Sequence, residues 1–532
     1  MEPSRQMTAE RIWQWYCRSD DNRRTSGAYE NARLAHRFYQ GDQWRGVDAE
    51  GQNLPFYNFI QPIVDHKTAA VAMNTMTISY TPLDHAGPLE PRAAQICQRL
   101  TAYAARQWER LKMDKLCWQT VKDACIAGDG YLYFYDGDCQ AQTVDACDLY
   151  LADETCSDLQ KQPYLIIARR QTVGQLRQEA RRQGLPEEEV MKIVPDDGPL
   201  GRQEEEEREF FQGEEEERFC TALLSFWRDE DGAVCCARSV RQTFYRPPAR
   251  LWAGGRGLTL YPVAGMSWMR RRNSARGAGE VLALIPNQIE TNKMLARRLM
   301  NARMTAFSRL VYNADKVLNK EALDQVGAAI KVRDMQASNV TDVVSYLGAA
   351  PMSPDARLLA EELVTQTREL AGAGDAVLGQ VNPEKATGAA IIAARDQAAL
   401  PLNQQIADFR QFIEDIAAIW FELWAVYSPR ELTQGPDPLT WEELRRLRVE
   451  IRIDASPNSP YSRFAQEQTL ENLFQRGAIT FEEYVAALDE NSAAPKRKLE
   501  AILRARSAGM GNRMERMERQ TAIGGGSQEG GS

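Results

Sequence analysis

Apolar positions along the chain change their spacing near residue 130. Before that point they recur at helical intervals, with Ile12, Trp15 and Tyr16 on one face and Tyr29, Ala32, Ala35 and Tyr39 on another, and a turn is expected at Gly41-Asp42. From Tyr131 the period shortens to two. Tyr131 to Tyr135, the turn Asp136-Gly137 and Gln140 to Val144 predict a hairpin, and Thr221 to Trp227 with Ala233 to Phe244, joined through Asp231-Gly232, predict a second. The first half therefore reads as mixed α and β.

Three helices dominate the second half. The first is expected from about Ala278 to Met304, with Ile285, Ile289, Ala296, Leu299 and Met300 on one stripe, a length of about 40 Å, and a kink at Pro286. Short β-like runs follow at Arg309 to Tyr312, Ala329 to Val332 and Val340 to Tyr346, around Gly327 and Gly348, and predict a strand-containing insert. A returning helix has Ser353 as N-cap, Pro354 at its first position, Leu359, Leu363 and Leu370 along one side, and Gly372 as its stop. Gly372 to Gly388 is rich in glycine and small residues and reads as a mobile loop. The third helix has Leu402, Ile406, Phe409, Ile413, Ile416, Trp420, Leu423 and Tyr427 at steps of four and three; with the stretch before Pro401 it would run from about Thr387 to Tyr427, roughly 60 Å, and stop at Ser428-Pro429.

A chain of 532 residues exceeds what one core usually organises, so two or more modules are expected. Hydrophobic residues make up 43%, and no apolar run approaches the roughly 18 needed to span a bilayer, so no membrane partner is expected. Met1-Glu2-Pro3-Ser4-Arg5 continues polar, unlike a secretory leader, which points to the cytoplasm. The ten cysteines lie between Cys17 and Cys236 without zinc or redox spacing and read as reduced, mostly buried thiols. A net charge of -9 argues against a general nucleic-acid coat, leaving DNA contact local or repulsive. Glu204 to Glu207 and Glu214 to Glu217 predict a solvated loop or frayed helix, with a cation site as the alternative, and Gly524 to Ser532 predicts a disordered tail.

Catalytic motifs are missing. There is no phosphate-cradling G-x-x-x-x-G-K-[ST], no nucleophile elbow and no H-E-x-x-H among His36, His66 and His85, and Gly254, Gly255 and Gly257 lack the third member of a dinucleotide fingerprint. No enzyme activity, cofactor or metal is expected. Asp148, Asp153, Glu154 and Asp158 read as a polar loop, with divalent-metal binding for nuclease chemistry as the alternative. Arg270, Arg271, Arg272 and Arg276, and Lys293, Arg297, Arg298 and Arg303, read as solvated charge or as phosphate contacts.

Several segments carry a family resemblance when taken in order. They are Phe38-Tyr39-Gln40-Gly41-Asp42-Gln43-Trp44, then Asn58 to Val64, Met73-Asn74 and Tyr80-Thr81-Pro82, and then Val144 to Asp153. Gly279 follows, with Gln288 and Asn292 four apart, and then Gly379, Thr387 to Ile391 and Gln397. Ser456-Pro457 to Arg463, Gln468, Leu470, Leu473 and Gly477 to Thr480 close the series. Together these segments resemble portal proteins, the head-to-tail connectors of tailed bacteriophages, of the short-tailed type.

That resemblance implies a helix-rich α+β portal fold. Its parts would be a wing over 1–277, a first stem helix over 278–306, a clip over 307–352, a second stem helix over 353–371, a channel loop over 372–388, a long wing helix over 389–428, further wing over 429–490, a short crown helix over 491–520 and a tail over 521–532. The acid-rich stretch has no counterpart in the family pattern, and Pro495 to Gln520 is short for a crown. The implied assembly is a ring of twelve at the capsid vertex of the virion, formed in the host cytoplasm. Its implied partners are double-stranded DNA in the channel, the terminase large subunit, the major capsid and scaffolding proteins, and neck or tail adaptors. Within it, Gly374, Asp375, Gly379, Gln380 and Thr387 are expected at the constriction. Lys293 and Arg297, one turn apart on one face, and Lys385 are expected to touch phosphate. The alternative is a helical virion scaffold or adaptor without a DNA channel.

Overall fold

The computed structural model describes residues 7–46, 54–73, 75–83, 90–196, 215–251, 257–306, 309–325, 327–333, 339–347, 354–372, 400–433, 439–456, 470–488, 498–499 and 502–503. The expectations for Glu204 to Glu207, Glu214, Gly348, Ser353, 373–399, Pro495 and the crown and tail from 504 on lie outside them. Two compact units emerge, Met1–Ala72 with Ile78–Ile453, and Met73–Thr77 with Asp454–Ser532.

In the first unit, helix α1 (Ala9–Thr25) begins where Thr8 Oγ1 accepts from Arg11 N at 3.2 Å. Its expected face is the buried one: Ile12 and Tyr16 pack with Tyr150, Tyr164, Ile166, Leu223 and Trp227, while Trp15 stacks on Tyr164 at 4.4 Å. Helix α2 (Ala28–Gln40) buries Ala32, Ala35 and Phe38 and ends at Gly41, whose φ of 91° suits glycine. Helices α3 (Ile60–Ala72), α4 (Glu90–Leu111) and α5 (Met113–Ala127) complete the N-terminal part, with β1 (Thr75–Pro82) between α3 and α4.

The first expected hairpin forms between β2 (Asp129–Tyr135) and β3 (Gln140–Val144), with Tyr135 opposite Gln140 and Tyr131 opposite Val144. Strand β9 (Val263–Ser267) joins β2 on its other edge. A five-stranded antiparallel sheet runs in the order β4 (Leu149–Leu151), β5 (Tyr164–Thr172), β6 (Phe219–Arg228), β7 (Val234–Ser239), β8 (Phe244–Arg250). The second expected hairpin is therefore β6 with β7. Its far strand ends at Ser239, five residues earlier than expected, because Val240 N turns back to Thr243 O and Phe244 opens a separate strand. Helix α6 (Val173–Arg182) packs Val173, Leu176 and Ala180 with Cys220, Ala222 and Tyr245 in a second core cluster.

Helix α7 (Val281–Ala306) is the first long helix of the second half, with Pro286 inside it. Its buried face corrects the expected apolar stripe. Ile285 is buried as expected, but so are the polar Gln288, Thr291 and Asn292, while Leu299 and Met300 are 37% and 52% exposed. Beyond it, β10 (Arg309–Tyr312) pairs antiparallel with β11 (Val344–Leu347). Of the run expected over Val340 to Tyr346, the part from Val344 on is β11 and Val340–Val343 is a helical turn, and of Ala329 to Val332 only Val332 bridges, to Val317. Helix α8 (Pro354–Leu370) returns with Pro354 first and stops at Gly372, at φ 67°. Its leucine stripe is not a core stripe, since Leu359 is 52% and Leu370 87% exposed.

Helix α9 (Asn403–Tyr427) starts after a 3-10 turn at Leu400–Leu402 that contains Pro401, and ends at Ser428 in the left-handed region. Phe409, Ile413, Ile416, Trp420 and Leu423 are buried as the stripe predicts. Trp420 and Trp424 centre an aromatic cluster: Tyr103 lies 5.0 Å and Tyr80 6.0 Å from Trp424, and Trp108 6.0 Å and Phe134 6.4 Å from Trp420. Such tilted and edge-on pairs add to the burial energy of the rings. The mixed helix and sheet make the fold α+β.

In the second unit, helix α10 (Phe481–Ala487) carries a capping box between Thr480 and Glu483, and Phe474, Phe481 and Tyr484 cluster around it.

Candidate functional site

The segments singled out in the sequence meet at the root of α7. Residues 55–59 run along that helix, and Gln288 and Asn292, one turn apart, act on them as a second strand would. Tyr57 N donates to Asn292 Oδ1 at 3.0 Å, Gln288 Nε2 donates to Tyr57 O at 2.7 Å, and Phe59 N donates to Gln288 Oε1 at 3.2 Å. An amide side chain presents a donor and an acceptor on separate atoms of one planar group, as a peptide does, without adding charge. Gln288 Nε2 also donates to Asn292 Oδ1 at 3.0 Å, Asn292 Nδ2 to Gln43 Oε1 at 2.5 Å, and Gln43 Nε2 to Phe38 O at 3.0 Å. Asn58 Nδ2 reaches Tyr39 O at 3.0 Å, and Trp44 Nε1 reaches Pro55 O at 3.1 Å. Gln43, Gln288 and Asn292 are buried with their amide atoms bonded, so this polar hub is satisfied throughout.

A glycine knot holds the same helix from behind. A Cβ on Gly279 would lie 2.2 Å from Ile126 O, and one on Gly130 would lie 2.1 Å from Thr120 O. Neither position has room for a side chain. Between these contacts the buried Asp129 carboxylate accepts from Ser267 Oγ at 2.6 Å and from Gly277 N at 3.0 Å; burial raises its pKa, opposed by Arg276 and these donors. Lys67 Nζ to Glu280 Oε1 at 2.6 Å adds a charged tie just before the helix starts.

Helix α8 is fastened to α7 beside the hub. Asn287 Nδ2 donates to Thr367 Oγ1 at 2.9 Å, and Arg368 Nη2 to the Tyr57 hydroxyl at 3.0 Å. Further out, Tyr57, Thr291, Leu295, Arg298, Glu361 and Val364 line the groove between the two helices. Sequence reasoning did not single out Tyr57, Asn287, Thr367 or Arg368; the adjacent aromatics Phe56-Tyr57 ahead of Asn58 were the available signal.

Lys293 and Arg297 stand on the exposed side of α7. Lys293 Nζ is 2.7 Å from Glu290 Oε1, a bond that lowers the Glu290 pKa, and Arg297 makes no ion pair among the described residues. Lys385, Gly374, Asp375, Gly379, Gln380 and Thr387 lie outside the described residues. Three of the four carboxylates considered for metal, Asp153, Glu154 and Asp158, are engaged locally. Asp153 accepts from Thr155 N at 2.8 Å, Glu154 pairs with Arg276 at 3.0 Å and Asp158 accepts from Gln160 N at 2.9 Å. Among the described residues no group of three or more His, Cys, Asp or Glu is placed to hold a metal ion, and no helix is long and apolar enough to cross a membrane. Of the basic cluster before α7, Arg276 is buried on Glu154, Ala146 O and Leu149 O, Arg270 pairs with Asp408 at 3.0 Å, and Arg271 and Arg272 are exposed. The ten cysteines are free thiols and seven are buried; burial raises Cys97 to about 11 and Cys147 to about 12, which leaves them weak nucleophiles.

No protein-family model matches this chain, and no curated protein matches it.

Proposed function

We propose that the chain is a portal subunit, which assembles into a ring through which double-stranded DNA is packaged and later ejected. The observation that carries this reading is the hub-rooted pair of antiparallel helices, α7 and α8, that bracket a β-containing insert and expose leucine and methionine side chains in a single copy. A lone scaffold helix has no need of a buried amide hub to fix its direction of exit, whereas a channel built from repeated helix pairs does. Ring closure then requires one surface to meet a different surface of the next copy. In this reading the insert faces the terminase motor during packaging and the neck or tail adaptors afterwards, and ATP hydrolysis belongs to the motor.

Negative-stain electron microscopy of the purified protein tests the proposal. Rings with a central hole, twelve-fold by the family pattern, are the expected result, and monomers or solid filaments at every concentration would overturn it. Excising 313–343 should leave rings intact and abolish capture of a terminase large subunit.

A further inference from the structure

The two helices present different outward stripes. On α7 the exposed positions advance by steps of four and three through Pro286, Glu290, Lys293, Arg297 and Met300, and on α8 the exposed Leu358, Glu362 and Glu369 follow one another beside Thr365, which borders the groove shared with α7. The first stripe is basic with a methionine at its outer end; the second is acidic with a leucine at its outer end. Met300 is 52% and Leu358 55% exposed. Glu362 makes no ion pair among the described residues, and neither does Arg297.

Heights along the pair follow from two anchors. Asn287 bonds Thr367 at the base, and Arg298 shares the groove with Glu361 further out. Counting outward places Glu362 opposite residue 292 from the first anchor and 297 from the second, a span that takes in Lys293 and Arg297, and places Leu358 opposite 296 to 301, with Met300 toward the outer end of that span. Lys293, Arg297, Met300, Leu358 and Glu362 are not among the side chains that line the groove between the two helices of one copy.

We infer that the α7 stripe docks on the α8 stripe of a second copy of this chain, with Lys293 and Arg297 against Glu362 and Met300 against Leu358. The inference rests on the ring reading above and gives it a specific contact. Opposite charge at matching height favours this occupant, and the apolar pair set among charges has the makeup of a protein interface. Phosphate binding by Lys293 and Arg297 would explain neither the exposed Leu358 and Met300 nor the acidic face of α8.

The test uses full-length protein and two variants, Lys293→Glu with Arg297→Glu, and Glu362→Lys. Mass photometry and electron microscopy should show that the double variant alone needs at least tenfold more protein to form rings. An equimolar mixture of the two variants should recover them, because in an alternating ring every contact again joins opposite charges. Thermal melts of the monomers should match wild type, which separates lost docking from lost folding. A Met300→Cys, Leu358→Cys protein should give an intersubunit disulfide ladder on a denaturing gel that neither single variant gives. Wild type without rings would overturn the portal reading itself. Wild-type rings unaffected by charge reversal, with no ladder, would overturn this contact alone. Intact variant rings that lose only DNA retention would do the same and assign Lys293 and Arg297 to phosphate.

Discussion

Asn292 Nδ2 donates to Gln43 Oε1 at 2.5 Å across 249 positions of sequence, and that bond closes the hub. Truncating either partner leaves buried amide atoms without partners. Asn292→Ala should cost about 2–4 kcal/mol in urea unfolding, well above a surface substitution. Adding Gln43→Ala to it should cost much less than the sum of the two single changes, because the second removes a group already orphaned. Strict additivity would mean that the bond contributes nothing.

The glycine knot gives a steric prediction with an internal control. Gly279→Ala and Gly130→Ala place a methyl within 2.2 Å and 2.1 Å of backbone oxygens and should each cost about 3 kcal/mol or more, or prevent soluble expression. Gly184→Ala meets nothing within 4 Å and carries only the penalty of its φ of 77°, about 1 kcal/mol. Equal melting temperatures for Gly279→Ala and Gly184→Ala would refute the knot.

Asp123 makes stability depend on pH. Burial, reinforced by Asp145, raises its carboxyl to about 7. A raised carboxylate penalises the fold above its unfolded pKa of about 3.9, growing as pH rises to the folded value and constant beyond it. Asp123→Asn should therefore stabilise by about 1–3 kcal/mol at pH 8 and by almost nothing at pH 4. The difference in melting temperature between variant and wild type at the two pH values reads this directly.

The ends of the acid-rich segment are pinned by the body. Asp196 N donates to Phe219 O at 3.2 Å, Thr221 N donates to Asp196 Oδ2 at 2.9 Å, Arg170 also holds the Asp196 carboxylate, and Arg177 Nη2 donates to Glu215 Oε1 at 2.6 Å. Replacing 198–213 by a short Gly-Ser linker should then leave the melting temperature within about 2 °C, since loop length alone changes closure entropy slowly. A large drop would show that the excised residues support the body.

Some of this was legible in the sequence and some could not be. The stripe from Leu402 to Tyr427 and the hairpin around Asp136 obey local periods, and the structure has both. The α7 stripe was misread because periodicity counts apolar residues, whereas this helix buries Gln288, Thr291 and Asn292. Each hub segment carried a recognisable pattern of its own, yet their meeting was invisible, because a hydrogen bond between Gln43 and Asn292 leaves no trace at helical or strand spacing. The buried Arg276 looked like its exposed neighbours Arg271 and Arg272 for a similar reason: its partner Glu154 is 122 positions away.

The hub also sets the mechanics of α7. Clamped at Asn292, the helix carries an outer arm, from Asn292 to Ala306, that measures about 21 Å at 1.5 Å per residue and shares a groove with α8 along its inner turns. A root rotation of about 5° sweeps its tip by roughly 2 Å, more than half the strand-direction rise of about 3.3 Å per residue that β10 and β11 must keep in register. Tip position is thus sensitive to a handful of amide bonds at the fulcrum, and loosening Gln43, Gln288 or Asn292 would blur the insert without touching it.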